Sequence, residues 1–364
     1  MRIKEVAQVL EELAPLAHAE DFDNVGLLIG NPENEVTGIL VTLDTLENVV
    51  DEAIEKGLNL IVSFHPIVFK GLKRFTGATY VERVVQKAIA NNIAIYSIHT
   101  ALDNSPRGVN AKICEVLGIE NPNILIPKKG TLKKLTTYVP EKDADNLRAS
   151  LFSAGAGSIG KYSDCSFNIQ GTGSFKAEEG ANPAFGEVGK IHFEKEVQIN
   201  VVFSFEKEHQ IIKALMENHP YEEVAYEVYS MDNTNSNIGM GMVGTLKEET
   251  DVNVFLSSIK QKMKVPSIRH SQFLKKKIKK IAVLGGSGGF AISAAKKAGA
   301  DVFLTADLKY HQFFEAENQI VLADIGHFES EQFTKDLLVD YLKKKIPNFA
   351  VALSESITNP IKYL

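Results

Sequence analysis

The sequence predicts an α/β protein: a bipartite α/β metal-binding domain interrupted by a ferredoxin-like α+β insert. Three observations lead there. Short β-branched runs alternate with helical stretches towards both ends of the chain, and the middle has a different texture. Histidines and acids stand at the ends of predicted strands on both sides of that middle. With 364 residues and 44% hydrophobic content the chain can bury a sizeable core, and its length favours two or three domains.

The opening stretch, MRIKEVAQVLEELAPLAHAED, carries charges at every turn. It reads as an amphipathic helix, not as a signal peptide or a membrane span of about 20 apolar residues. DFDNVGLLIG follows, where Asp23-Asn24 before Gly26 suits a turn into an apolar run. Contact of that acid with a site is the lesser alternative. From Val36 to Thr131 the stretches GILVTLD, LENVVDEAIEKG, LNLIVSFHP, YVERVVQKAIANN and IAIYSIHTALD alternate strand and helix. That rhythm belongs to parallel βαβ units covered on both faces.

Between about Lys133 and Asp232 the order changes. It becomes strand LTTYVP, helix DADNLRASLFSAG, strands SFNIQGTGSF and EVQINVVFSF, helix HQIIKALMENH and strand AYEVYSM, the succession of a ferredoxin-like sandwich. HPYEEVAYEVY at its end reads as packing, not catalysis. TNSNIGMGMVGTL, rich in Gly and Asn, marks the return crossing. The first rhythm resumes in KKIAVLGGSGG, FAISAAKKAGA, DVFLTAD, QIVLADIGH and SEQFTKDLLVDYLKKKI. The expected parts are residues 1–130 and 236–364 for the metal-binding domain and 131–235 for the insert.

A net charge of -6 and a pI near 5.9 argue against a nucleic-acid partner. The run from Leu274 to Lys280 is the one basic cluster, read as a solvated helix end or strand lead-in. Two cysteines, Cys114 and Cys165, are too few for a disulfide framework and fit a reducing cytoplasm.

In open α/β sheets ligands collect at the carboxyl ends of the strands. LNLIVSF ends at His65, IAIYSI at His99 with Asp103 one helical turn on, and QIVLADIG at His327 with Glu331 one turn on. A histidine and an acid four residues apart at a helix start point the same way and can grip a cation. One such histidine is more often a hydrogen-bonded surface residue; three on separate strands imply a metal site. Imidazole mixed with carboxylate suits Zn, Mn, Fe or Co more than Ca. Asp103 or Glu331 could bridge two ions roughly 3.5 to 4 Å apart. The loop GGSGG is either a tight turn or a phosphate cradle at a helix start. In TADLKYH, Asp307 suits a helix cap, and His311 a proton carrier or phosphate contact.

Taken in order, DFDNVGLLIG, SFHPIVFKG, SIHTALDN, GMGMVGTL, GGSGG and GHFESE resemble the GTP cyclohydrolase 1 type 2 homologue family, also described as NGG-one-interacting-factor-three-like proteins. The resemblance spans nearly the whole chain outside the middle, which itself resembles the PII- and CutA-like insert of longer bacterial members. It implies two divalent ions on His65, Asp103, His327 and Glu331, with His99 a further ligand or close neighbour, and a toroidal homohexamer. The implied activity is GTP cyclohydrolase: a water made acidic by the ions attacks C8 of the purine, the imidazole ring opens and formate leaves. His99 or His311 would move protons. Two alternatives use the same site: a phosphoesterase for another phosphorylated small molecule, and a non-enzymatic scaffold or regulator. Phe64 stands where many members carry a second, adjacent histidine, so the second ion is expected to lack a ligand here.

Overall fold

A computed structural model describes residues 1–274 and 277–364, so Lys275 and Lys276 of the basic run lie outside the described residues. The chain divides into two compact units, Met1–Pro127 with Asn237–Leu364, and Lys128–Ser236.

The first unit opens with helix α1 (Ile3–Leu13), which buries Ile3, Val6, Leu10 and Leu13 along one helical stripe. Strands β1 (Gly26–Ile29), β2 (Ile39–Thr42), β3 (Leu60–Ser63) and β4 (Ala94–Ser97) follow, alternating from β2 onward with helices α2 (Glu47–Glu55) and α3 (Tyr80–Ala90). β2, β3 and β4 run parallel, and β1 closes the β4 edge antiparallel. Helices α4 (His99–Asp103) and α5 (Val109–Leu117) then lead to β5 (Ile119–Pro127).

The second unit runs β6 (Leu132–Pro140), α6 (Ala144–Ser153), β7 (Ser166–Lys176), β8 (Ile191–Ser204), α7 (Glu208–Asn218) and β9 (Tyr226–Ser230). Its antiparallel sheet has the order β7-β8-β6-β9. Val197, Ile199, Val201 and Phe203 alternate along β8, so one sheet face meets Leu147, Leu151, Ile211 and Leu215 of the two helices.

The chain re-enters the first unit through β10 (Gly239–Asp251), α8 (Val252–Lys262), β11 (Arg269–His270) and β12 (Lys277–Ser287). It continues with α9 (Ile292–Lys297), β13 (Val302–Ala306), β14 (Val321–Asp324), α10 (His327–Glu331), α11 (Thr334–Lys345) and β15 (Val351–Leu353). Parallel β12, β13 and β14 form a six-stranded sheet with β11, β10 and β5, while β15 returns to lie parallel to β2 in the five-stranded sheet. Val41, Val62 and Tyr96 of one sheet and Val283, Leu304 and Ala323 of the other share a core with α1, α5, α8 and α11. Their strand neighbours point the opposite way. Leu40, Ile61 and Ile95 pack on α2 and α3, and Ala282, Phe303 and Leu322 on Ile292 and Ala295. Both faces of each parallel stretch are therefore covered, which is why these strands read as continuous apolar runs.

Three expectations change. The strand-end rule would put His65, His99 and His327 at one sheet edge, but β3 and β4 belong to one sheet and β14 to the other, because β12–β14 pair with β10 and not with β2–β4. The return segment GMGMVGTL is strand: Gly239 lies so close to β5 that a Cβ would stand 2.1 Å from the Ile126 carbonyl oxygen. β12 runs on through Gly285 and Gly286 to Ser287, so the first glycines of GGSGG are strand and not loop.

Candidate metal centre

The histidines are delivered by backbone, not by chance of rotamer. Beyond β3 the Phe64 and His65 amides still donate to the carbonyls of Thr42 and Leu43, at 3.1 and 2.9 Å. Two successive amides bonding to the same neighbour break the strand's alternation, so the chain leaves the ladder here, with Phe64 in the core and His65 half-exposed. The His99 amide donates to the Phe64 carbonyl at 3.0 Å, which places the start of α4 beside His65. In the other sheet, Gly326 turns from β14 into α10 at φ +92°, where a Cβ would come within 2.3 Å of Glu329 Oε2.

Nε2 of His65, Nε2 of His327 and a carboxylate oxygen of Glu331 gather within 4.8 Å of one another. Glu331 Oε2 lies 3.1 Å from His65 Nε2 and 3.2 Å from His327 Nε2, yet it is buried and makes no hydrogen bond among the described residues. On the far side of each ring a carboxylate holds Nδ1: Asp44 at 2.8 Å for His65 and Asp307 at 2.7 Å for His327. His99 repeats the pattern with Asp23 at 2.8 Å, and its ring centroid lies 5.3 Å from that of His65. A carboxylate on Nδ1 orients the ring so that Nε2 is the nitrogen that can bind metal once its proton is displaced. Two such nitrogens and an orphaned carboxylate oxygen, at these separations, fit one ion with ligand distances of about 2.0–2.2 Å. Asp103 is half-buried, its buried Oδ1 also lacks a hydrogen bond among the described residues, and it senses the charges of Glu331, His65 and His327.

Without an ion, the two imidazoles supply the positive charge that the carboxylates draw. Burial would raise the Glu331 pKa, but the two imidazoles outweigh it and hold the carboxyl at about 2. Burial would lower both imidazoles; Asp44 and Glu331 instead push His65 up to about 9, and Asp307 and Glu331 push His327 up to about 11. Asp103 is driven well above its ordinary value by burial and by the Glu331 charge.

The second sheet supplies strain and close approach. Asp307 sits at φ +53°, a left-handed conformation that a residue with a Cβ adopts at a cost, and from there its carboxylate reaches both His327 and the Ser287 hydroxyl. Gly286, at φ +67°, lies against Glu331: a Cβ there would stand 2.4 Å from Glu331 Oε1.

His65, His327 and Glu331 are thus brought together, with Asp103 and His99 beside them. His311 is not: it is exposed, with its ring against Tyr310 and Phe314. The phosphate-cradle reading of GGSGG also fails at its first two glycines, since Gly285 N–H donates to Asn110 and Gly286 N–H to Ser330. Asp307 does not cap the following helical turn, whose N-cap is Lys309; its carboxylate holds the His327 ring instead. Asp23 does more than turn the chain, because it holds His99 and the Thr100 amide. Asp44 was missed, although in GILVTLD it follows β2 as closely as His65 follows β3, so the strand-end rule could have found it. Thr358, which donates to Asp44 at 2.7 Å, had no such signal. A cavity of about 310 Å³ opens over His65 and His327. A larger one of about 620 Å³ lies in the second unit near Phe175, Glu196 and Tyr221, but none of the gathered ligands lines it.

A family model described as Duf34/NIF3 (NGG1p interacting factor 3) matches residues 1–360. The chain belongs to that family. A Bacillus subtilis member named GTP cyclohydrolase 1 type 2 homolog is 38% identical over 99% of this chain and 98% of its own length. A Staphylococcus epidermidis member with the same name is 36% identical over 100% of both. Among solved structures, a Bacillus cereus protein related to NIF3 superposes with a TM-score of 0.86 at 36% identity, covering 100% of this chain and 99% of that one. A Staphylococcus aureus protein follows at 0.79 and 30% identity, with the same coverage.

Proposed function

We propose that this NIF3-family chain is a divalent-metal-dependent hydrolase acting on a nucleotide or related phosphorylated heterocycle, with the cyclohydrolase chemistry in its relatives' names as the specific form. One observation carries the reading: two imidazoles, each held at Nδ1 by its own carboxylate, aim Nε2 at a buried glutamate oxygen that bonds to nothing else. Held there, a divalent ion would supply Lewis acidity and make a water more acidic. The chain's own part is to hold that charge. Asp103 and Glu331 present acceptor oxygens, Asp44 and Asp307 lock the ring planes, and His99, fixed by Asp23, is the group placed to carry a proton at the edge of the site.

Further parts of the proposal rest on the resemblance and on topology. Two ions per chain, drawn from Zn, Mn, Fe or Co, occupy the site, the second held more weakly because Phe64 offers a ring edge where a histidine would offer a donor. The βαββαβ order of the second unit supports a PII- or CutA-like insert, and the assembled form is a toroidal hexamer; a light-scattering mass of one chain would refute that assembly. No described helix is long and apolar enough to cross a membrane, and Cys114 and Cys165 are both free, which supports a cytoplasmic setting.

The test is elemental analysis of the purified protein beside Asp103→Ala and Glu331→Ala, followed by GTP turnover in wild type and His65→Ala. Each substitution is expected to lower metal content, and His65→Ala to abolish turnover. Full stoichiometry in both acid variants would sink the site. Metal binding without turnover of GTP or of other phosphorylated compounds would leave a scaffold.

A further inference from the structure

The segment after β15 makes contacts that its amino-acid pattern does not announce. Glu52 on α2 anchors its first part: the carboxylate accepts from Ser354 Oγ at 2.7 Å, from the Glu355 and Ser356 amides at 3.0 and 3.1 Å, and from Ser356 Oγ at 2.7 Å. The chain then crosses the metal centre. Thr358 Oγ1 donates to Asp44 Oδ2 at 2.7 Å, while the other oxygen of the same carboxylate holds His65 Nδ1 at 2.8 Å. The next residue reaches the opposite half of the ligand set: Asn359 Nδ2 donates at 3.1 Å to Oε1 of Glu329, which lies on α10 between His327 and Glu331. Asn359, Pro360 and Ile361 go on to wall the cavity that opens over His65 and His327.

Two adjacent residues therefore touch the supports of both halves of the centre. A carboxylate with one oxygen on an imidazole and the other free can swing about its Cβ–Cγ bond; a hydroxyl on the second oxygen stops that rotation and fixes the plane in which Nδ1 must lie. Supporting partners of this kind typically alter metal affinity by about 10–100-fold.

We propose that residues 354–361 are a working part of the metal centre, with Thr358 the positioning residue that sets His65 through Asp44. This rests on the metal-centre reading above. Thr358 is buried, and valine matches its shape while removing the hydroxyl, so Thr358→Val tests the hydrogen bond with little change in packing. Thr358→Ser restores the donor. Asp44→Asn, which keeps an acceptor for His65 but loses the second carboxylate oxygen, is an independent probe.

The measurement is calorimetric titration of full-length, metal-stripped protein with Zn or Mn, alongside the thermal midpoint of each metal-free variant. Thr358→Val and Asp44→Asn are expected to weaken the tightest site by about 10-fold or more. Thr358→Ser should stay near wild type, and the metal-free midpoints should change little. Wild-type affinity in Thr358→Val overturns the proposal, as does equal weakening in the Val and Ser variants, which would report packing instead of a hydrogen bond. Should Thr358→Val fail to fold, Asp44→Asn decides alone by the same criterion. A wild-type protein that binds neither metal overturns this proposal and the metal-centre reading together. Metal binding that depends on Thr358, without turnover of any phosphorylated compound, removes the hydrolase and leaves the positioning role standing.

Discussion

Glu52 shows how one buried side chain can govern residues 302 positions away in sequence. Burial alone would raise its pKa; the ion pair with Lys56 and the donors from Ser354, Glu355 and Ser356 prevail and bring it from 4.5 to about 2. A depressed carboxylate contributes stability that is present above its ordinary pKa and is lost as pH falls from about 4.5 towards about 2. Glu52→Gln should therefore lower stability near neutral pH by about 1–3 kcal/mol, the cost of leaving buried donors poorly matched. Urea unfolding of both proteins at pH 7 and pH 3 should show that gap narrowing in acid; a gap independent of pH would refute the charge as its cause. Phe64 teaches the complementary lesson. It is fully buried, with its ring centroid 4.9 Å from that of His65 and edge-on to His99 at 5.4 Å, so it is both a core residue and the wall behind two imidazoles. His65, His99 and His327 were legible because a polar residue ending an apolar strand has few structural reasons to be there. Their carboxylate partners were harder to find, since Asp44 and Asp23 lie 21 and 76 residues from the rings they hold.

At the level of elements, two five-residue helices do the same work from different sheets. α4 begins at His99 and ends at Asp103, and α10 begins at His327 and ends at Glu331, so each sets a histidine and an acid one turn apart. The spacing was visible in sequence because the 3.6-residue period needs only two residues to show itself. What prepares α10 was not visible. Asp307, at the end of β13, holds a left-handed conformation that nothing in TADLKYH requires, and the reach of its carboxylate to His327 depends on it. Asp307→Asn keeps an acceptor and tolerates that conformation, whereas Asp307→Ala loses the acceptor and adds about 1 kcal/mol of backbone strain. Metal titration should rank affinity as wild type, then Asn, then Ala; an Ala variant equal to wild type would show that His327 needs no orienting partner. The parallel strands β2, β3, β4, β12, β13 and β14 were readable as apolar runs because both their faces are covered. β5 and β15 were not, since β5 is largely exposed and β15 is three residues long, and pairing with distant strands makes both of them.

For the molecule as a whole, the point where the second unit leaves the first is a matched pair. Pro127 of β5 and Gly239 of β10 are register partners in an antiparallel ladder, so the 128–236 segment grows from the position of a hairpin turn. Replacing residues 128–238 by a short Gly/Ser linker asks the chain to close only an ordinary hairpin. The shortened protein is expected to fold and to keep its metal content by elemental analysis; loss of either would show that the second unit is needed for the first. The contact between Thr358 and Asp44 carries a different kind of consequence. It closes a loop of 314 residues, and β15, which leads to it, completes a sheet whose other strands all end by Ser97. A ribosome making this chain at roughly 5–20 residues per second must therefore work for many seconds after His65 emerges before the segment that steadies it exists. Through that interval the nascent chain has neither the hydroxyl that holds Asp44 nor the strand that pairs with β2.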